Sequence, residues 1–112
     1  MLIDTSYNTE ADIQFELGSR LKDLGFSVFF ERNFNLPDFV KTKRSRKTTK
    51  IRVDVVVMRG DKIVGVIEVK NNLCDKKPKG RQLSKYKSLG LPFYFCWNKD
   101  DIENSIRFIL EQ

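Results

Sequence analysis

The sequence predicts one α/β domain, in which helices flank a mixed central sheet and the elements follow in the order α-β-β-β-α-β-α. Two observations support this fold class. Segments rich in valine and phenylalanine alternate along the chain with segments whose apolar residues recur at helical spacing. The length of 112 residues fits a single domain over 1–112, and no linker, internal repeat or low-complexity tract divides the chain.

The first helix is predicted over residues 9–24, and four apolar residues mark its inward face: Ile13, Leu17, Leu21 and Leu24. Thr9, followed three residues later by Asp12, resembles a capping box in which Asp replaces the usual Glu. Gly25 supplies the left-handed residue that ends many helices. The helix therefore has signals at both of its ends.

Three strands are predicted in the middle of the chain. The first covers residues 26–30, with an extension to 34 left open. A valine-rich strand over 51–58 is followed by the turn 59–62 and the return strand 63–70. This pattern of two apolar runs around a Gly-Asp pair is typical of a β-hairpin.

The last part of the chain predicts a helix, a strand and a second helix. The first of these helices covers residues 80–89, and the buried strand covers 93–97. We assign Cys96 to the core as a free thiol, and we also assign Trp97 and the phenylalanines to the core rather than to base stacking. The final helix begins near Asp100.

The basic charge lies in one segment. The chain has 21 Lys and Arg against 15 Asp and Glu, for a net charge of +6. Six bases and no acid lie between residues 41 and 50: Lys41, Lys43, Arg44, Arg46, Lys47 and Lys50. A second basic cluster follows the hairpin: Lys76, Lys77, Lys79 and Arg81. Clustered bases indicate a polyanionic partner, either nucleic acid or an anionic membrane surface, and we predict salt-dependent contacts with the DNA backbone. A solvated loop is the alternative for the decamer, and a nuclear localisation signal ranks below both.

The missing histidine excludes several kinds of chemistry. Ser-His-Asp and Cys-His nucleophile systems, His-ligated zinc sites and nucleases with a His base are all ruled out. Two cysteines are too few for the disulfide framework that stabilises a small secreted domain. We see neither a signal-peptide pattern nor an apolar stretch of membrane-spanning length, so we expect a cytoplasmic protein without a membrane partner.

Three charged residues interrupt the apolar hairpin: Asp54, Glu68 and Lys70. Charges inside such strands are costly unless they are paired or bind a metal. Glu68 and Lys70 are two residues apart and share a face. A two-residue Gly60-Asp61 turn would place Asp54 on the opposite face. We therefore predict a turn of three or five residues, unless a β-bulge resets the register.

Two carboxylates and an ammonium group at one position suit phosphodiester hydrolysis. Hard oxygen ligands bind Mg²⁺, which usually keeps several waters. A bound Mg²⁺ lowers the pKa of water and shields developing charge, while a lysine positions or deprotonates the water. None of these roles needs histidine.

These residues resemble the D…(D/E)-x-K signature of the PD-(D/E)xK nuclease superfamily, with Asp54 followed by Glu68-Val69-Lys70. The element order is similar to the restriction-endonuclease-like core of that superfamily and covers nearly the whole chain. Gln82 and Tyr86 look like the Q-x-x-x-Y motif of its exonuclease and restriction-type branches. The size is similar to small stand-alone phage-type nucleases and archaeal Holliday junction resolvases.

The chain departs from the signature at Val53, which stands where the family often has proline. A literal Pro-Asp pair occurs at Pro37-Asp38, but it lies outside a hairpin partner strand, and we interpret it as a turn.

The resemblance implies a role for each site residue. Asp54 and Glu68 would bind Mg²⁺, which Mn²⁺ can replace, with the Val69 carbonyl as a further ligand. Lys70 would position or activate water, and Gln82 would orient the nucleophile or the substrate. Family members often add an acid from the first helix.

The helical wheel places Glu10 within the inward face of that helix and Glu16 on its flank. Glu10 is therefore favoured as a catalytic residue that completes the metal site through water, and Glu16 stays open. Tyr86 we expect to contact nucleic acid.

Each of these residues also has a plain structural interpretation. Asp54 and Glu68 would be edge-strand charges that face solvent, and Lys70 an ordinary lysine at a strand end. Glu10 would be an acid favoured by the helix dipole. Gln82 would be a solvated helix residue and Tyr86 a half-buried aromatic one.

The expected function is a Mg²⁺-dependent DNA endonuclease that leaves a 5′-phosphate and acts as a homodimer on duplex or branched DNA. A Holliday junction resolvase or another structure-selective endonuclease is the alternative within the same chemistry. A non-catalytic nucleic-acid-binding domain is the alternative of another class, and a membrane-surface or protein-interaction module ranks below it. The resemblance favours DNA over RNA, which the residues alone leave open.

Overall fold

A computed structural model describes residues 9–36, 49–71 and 80–112. The described elements follow the predicted order, with a short 3₁₀ turn at Lys99–Asp101 before the last helix. Their bounds are α1 Glu10–Asp23, β1 Ser27–Leu36, β2 Thr49–Arg59, β3 Lys62–Val69, α2 Gly80–Leu89, β4 Phe93–Cys96 and α3 Ile102–Leu110. The first strand therefore takes the predicted extension and passes beyond residue 34.

The four strands form one mixed sheet in the order β1-β2-β3-β4. The pairs β1–β2 and β2–β3 are antiparallel, whereas β3 and β4 run parallel. A parallel pair needs a crossover connection, and α2 lies within that connection. The predicted α/β class with a mixed sheet is confirmed.

Helices cover both faces of the sheet. On one face, α1 and α3 pack on residues that include Val55, Val57, Ile67 and Cys96. On the other face, α2 packs on residues that include Ile51, Val53, Val66 and Phe95. Cys96 is fully buried as a free thiol, as predicted. β2 and β3 are the central strands of the sheet, and both have apolar residues on the two faces because helices cover both of them.

The predicted cap of α1 is present, but its last apolar residue lies outside the core. The amide N–H of Asp12 donates to the hydroxyl of Thr9 at 3.1 Å, and Gly25 has a φ of 97°. Leu24 is 52% exposed, because the helix ends at Asp23. After the chain reverses direction, Phe26 enters the core in its place.

Not all phenylalanines are in the core. Phe15 is 70% exposed on α1, and Phe29 is 38% exposed on the edge strand β1. The guanidinium of Arg32 lies 5.2 Å from the ring centroid of Phe29 and partly covers it. The assignment of these two rings to the core was wrong, because composition does not show which face of an element is covered.

The β2–β3 hairpin has a shorter turn than the main prediction, but its register still agrees with the predicted pairing of Asp54 with Glu68. Arg59 pairs with Lys62, so the turn has two residues, and the stated alternative of a β-bulge applies instead of a longer turn. The register then shifts by one residue, because Met58 pairs with Ile63 while Val57 pairs with Gly65. This bulge resets the alternation, and the register that follows it places Asp54 opposite Glu68.

Within residues 9–36, 49–71 and 80–112, no helix has both the length and the apolar composition needed to cross a bilayer.

Candidate active site

The candidate site lies where two central strands separate. The pairing of β2 with β3 extends as far as Val55 and Ile67. From there β2 continues beside β1, whereas β3 continues beside β4. Asp54 and Glu68 are the next residues on the two diverging strands, so their side chains lie in the fork between them.

Asp54 fills this fork with its carboxylate. The N–H of Val66 donates to the carbonyl of Pro92, just before β4, at 2.9 Å, and the N–H of Lys70 donates to the carbonyl of Cys96 in β4 at 2.7 Å. The N–H of Val69 therefore points towards β2, where the ladder would normally offer a backbone carbonyl. It donates instead to Oδ2 of Asp54, at 2.8 Å.

The backbone around Asp54 explains this orientation. Val53 packs in the core beneath α2, whereas Val55 packs in the core beneath α1 and α3. Residues two apart in a regular strand share a face, so the alternation shifts by one residue at Asp54. On β1, Glu31 lies opposite Asp54 and has a left-handed φ of 54°, a strained value for a residue with a side chain.

Glu68 is held by three donors. It is only 7% exposed. The Tyr86 hydroxyl donates to Oε1 at 2.7 Å, the Gln82 amide donates to Oε2 at 2.5 Å, and Lys70 Nζ lies 3.3 Å from Oε2. Gln82 and Tyr86 are one helical turn apart on α2, so both reach the same carboxylate. These contacts compensate the cost of burying the charge.

The Asp54 carboxyl is affected by burial and by the neighbouring carboxyl of Glu68. Burial raises the pKa of Asp54 to about 7, and the hydrogen bond and negative charge of Glu68 act in the same direction. The Val69 N–H lowers this pKa, and the charge of Glu10 adds a smaller increase. Asp54 therefore keeps a proton up to about neutral pH. Burial and the charge of Glu68 also raise the pKa of Tyr86 well above its usual value, so its hydroxyl remains a donor.

The donor set fits a hard divalent cation. Among the described residues, no group of three or more His, Cys, Asp or Glu side chains could hold a metal ion. Mg²⁺, however, is usually held by one or two carboxylates, with water and substrate oxygens completing its shell. Asp54 and Glu68 form a pair of that kind. A cation between them would take the place of the proton on Asp54 and relieve the repulsion between the two carboxylates.

Most of the predicted site residues come together. Asp54, Glu68, Lys70 and Gln82 meet at the fork, and Val69 joins them through its amide. Gln82 contributes to the site through the hydrogen bond that its amide donates to Glu68.

The two acids proposed from the first helix have different surroundings. Glu10 is exposed in the first turn of α1, where its charge still acts on Asp54. Glu16 forms an ion pair with Arg20, at 3.3 Å. Of the two, Glu10 is the acid with an electrostatic effect on the site.

Tyr86 has a different position from the one predicted. The expectation that it contacts nucleic acid was wrong, because its side chain is 1% exposed and its hydroxyl is used by Glu68. Its ring packs against Phe93 and Phe95 beneath α2, with centroids 5.6 and 5.2 Å away.

Trp97 is a neighbour of the site that sequence reasoning missed. In the parallel register Val69 pairs with Cys96, so the next positions place Trp97 beside Lys70. Trp97 is only partly buried and packs edge-on against Phe95, with centroids 5.7 Å apart. No sequence pattern shows that Trp97 lies near Lys70, because β3 and β4 are distant in sequence and their register depends on the crossover connection between them.

Most of the predicted nucleic-acid contacts lie outside the described residues: Lys41, Lys43, Arg44, Arg46, Lys47, Lys76, Lys77 and Lys79. Of Arg81, only the backbone in α2 is described. Lys50 is exposed near the start of β2, and its carbonyl accepts a hydrogen bond from Lys85 at 3.3 Å.

Comparisons of the chain with models of protein families, with curated proteins and with solved structures found no match.

Proposed function

We propose that the chain is a Mg²⁺-dependent DNA endonuclease with a restriction-endonuclease-like core of the PD-(D/E)xK type. One observation carries the proposal: Asp54, Glu68 and Lys70 meet at the fork between β2 and β3, and α2 holds Glu68 in place. A pair of neighbouring carboxylates beside an ammonium group is suited to phosphodiester hydrolysis. The element order and the mixed sheet support the same superfamily.

Each residue then has a defined role. Asp54 and Glu68 would hold Mg²⁺, with the Val69 carbonyl as a further ligand. When bound there, the metal would polarise the phosphate and lower the pKa of water. Lys70 positions the attacking water and contacts the phosphate. Tyr86 and Gln82 orient the Glu68 carboxylate through their hydrogen bonds.

The reaction balances without histidine. The attacking water gives up a proton as its oxygen forms a bond to phosphorus, and the bond between phosphorus and the 3′-oxygen breaks. The 3′-oxygen leaves as a hydroxyl after taking a proton, and the phosphate stays on the 5′ side. We also propose a homodimer, because a chain of 112 residues has little surface with which to enclose a duplex.

A substrate panel tests the proposal. It contains linear duplex, single strand, flap, splayed-arm and four-way-junction DNA, each with Mg²⁺, Mn²⁺ or EDTA. We expect metal-dependent cleavage that Asp54→Asn abolishes. The exposed turn acid Asp61 provides the matched control Asp61→Asn, which should cleave normally.

The same panel separates the alternatives. Cleavage confined to the junction would identify a resolvase, and DNA binding without cleavage of any substrate by either metal would contradict the enzyme and favour a binding domain. A monomer in light scattering at working concentration would contradict the dimer.

A further inference from the structure

Beyond the fork, β1 and β2 continue together as a two-stranded ribbon. Its residue pairs run from Arg32 with Val53 to Leu36 with Thr49. One face of the ribbon is apolar and belongs to the core beneath α2, through Leu36, Ile51, Val53 and Phe34. The ribbon is therefore anchored to the body on this face.

The opposite face has a different chemistry. It carries two cross-strand pairs, Asn33 with Arg52 and Asn35 with Lys50, and all four side chains are exposed. We call these four residues the polar ribbon face. Residues 31–36 and 49–53 contain one acid, Glu31, at the end of the ribbon next to the fork. The face therefore presents positive charge and amide groups, with no acid among its four members.

The polar ribbon face lies next to the candidate site. Arg52 and Lys50 precede Asp54 by two and four residues, or about 7 and 13 Å along an extended strand. A polyanion that contacts this face is thus within reach of the fork.

We infer that the polar ribbon face binds duplex DNA beside the fork, an inference that rests on the proposed nuclease function. Arg52 and Lys50 supply the positive charge that phosphates attract. Asn33 and Asn35 supply amides that both donate and accept, as base edges require. The major groove of a duplex is wide enough for a two-stranded β-ribbon. The chemistry and the shape of the face therefore fit the same partner.

A duplex fits this face better than a single strand does. Proteins that bind single strands without sequence preference stack the bases on aromatic side chains. The polar ribbon face has no aromatic member, because Phe34 of the same ribbon points into the core beneath α2.

Binding measured in EDTA tests this inference without any cleavage. The full chain is titrated into a fluorescent 20-base-pair duplex, and into the single strand, across a series of salt concentrations. The double variant Lys50→Gln/Arg52→Gln should lose about tenfold in duplex affinity, and the slope of log affinity against log salt should fall by about two. Asn33→Ala/Asn35→Ala should weaken duplex binding without changing that slope.

A matched double variant controls for net charge. Lys62→Gln/Lys87→Gln removes two exposed lysines, one at the β2–β3 turn and one on α2. It should change duplex affinity less than twofold. Circular dichroism and thermal unfolding check that each variant folds.

Three outcomes would overturn the inference: an equal loss in the control, no loss in Lys50→Gln/Arg52→Gln, or the same loss for single strand as for duplex. The binding is measured without metal. A protein that binds duplex through this face but never cleaves would therefore contradict the nuclease proposal and leave the binding inference standing.

Discussion

The amide N–H of Val69 donates to the carboxylate of Asp54 at 2.8 Å, across the point where β2 and β3 separate. The strand that carries Glu68 and Lys70 is thereby tied to the acid on the other strand. The relative position of the two carboxylates therefore depends on the backbone of β3 as well as on rotamers, which favours a preorganised site.

Asp54→Asn should change the pH dependence of stability in the metal-free protein. Folding raises the pKa of this carboxyl from 3.8 to about 7, so the folded protein keeps a proton that the unfolded chain loses. The stabilising contribution of Asp54 is full below pH 4 and is lost as the pH rises to about 7. Asn carries no such proton, so the variant should gain stability relative to wild type over this range.

Chemical denaturation in EDTA between pH 4 and pH 8 measures this difference. Because Asp54 is partly exposed, we expect this difference to reach about 1–3 kcal/mol across the pH range. Asp61→Asn, in the exposed turn, gives the baseline. A difference between Asp54→Asn and wild type that stays flat with pH would contradict the prediction.

Tyr86→Phe should destabilise the fold and impair cleavage without weakening DNA binding. The variant removes a buried donor from Glu68, which costs about 1–3 kcal/mol for a hydrogen bond to a charged group. Because Tyr86 is 1% exposed, duplex affinity should stay within about twofold, as measured by anisotropy in EDTA. A large loss of duplex affinity in a folded variant would contradict this prediction and would support Tyr86 as a DNA contact.

Lys70→Ala should reduce cleavage by at least about 100-fold, because the attacking water loses its positioning group. Its Nζ lies 3.3 Å from Glu68 in a partly exposed position, so the fold should tolerate the change. Single-turnover cleavage at saturating protein separates this effect from binding. Lys62→Ala is the matched control, and a cleavage rate for Lys70→Ala equal to that of the control would remove Lys70 from the mechanism.

The Cys96 thiol should be inert in the folded protein. Burial raises its pKa to about 11, and the charge of Asp101 acts in the same direction, although hydrogen bonds with Ser105 and Asn98 oppose them. In a Cys74→Ser variant, reaction with a disulfide reagent at pH 7.5 should be at least about 100-fold slower in native buffer than in denaturant. Rapid labelling of the native protein would show that Cys96 is accessible.

Local signals predicted the elements well, because they act over a few residues. The Thr9 cap and the Gly25 stop delimit α1, and the helix predicted over residues 80–89 coincides with α2. Leu24 was misplaced, since periodicity shows which residues share a face but not where the helix ends. Phe15 and Phe29 were misplaced because composition does not show which face of an element is covered.

The site was predicted in part. Asp54, Glu68 and Lys70 stood out because charges are costly in valine-rich strands, and the structure brings all three together. The hydrogen bond from Val69 to Asp54, the burial of Tyr86 and the neighbour Trp97 were not predictable. They depend on the fork, the packing of α2 and the parallel register of β4.

By itself, the sequence determined the order of the elements, the location of the net charge and the three residue types capable of phosphodiester chemistry. The tertiary structure decided whether those residues meet. The two-residue turn alone would place the two acids on opposite faces of the sheet. A one-residue bulge between Val57 and Met58 shifts the register and brings them to the same side. The side-chain period of a strand is two, so a single extra residue decides which face each carboxylate occupies, and no local pattern reports it.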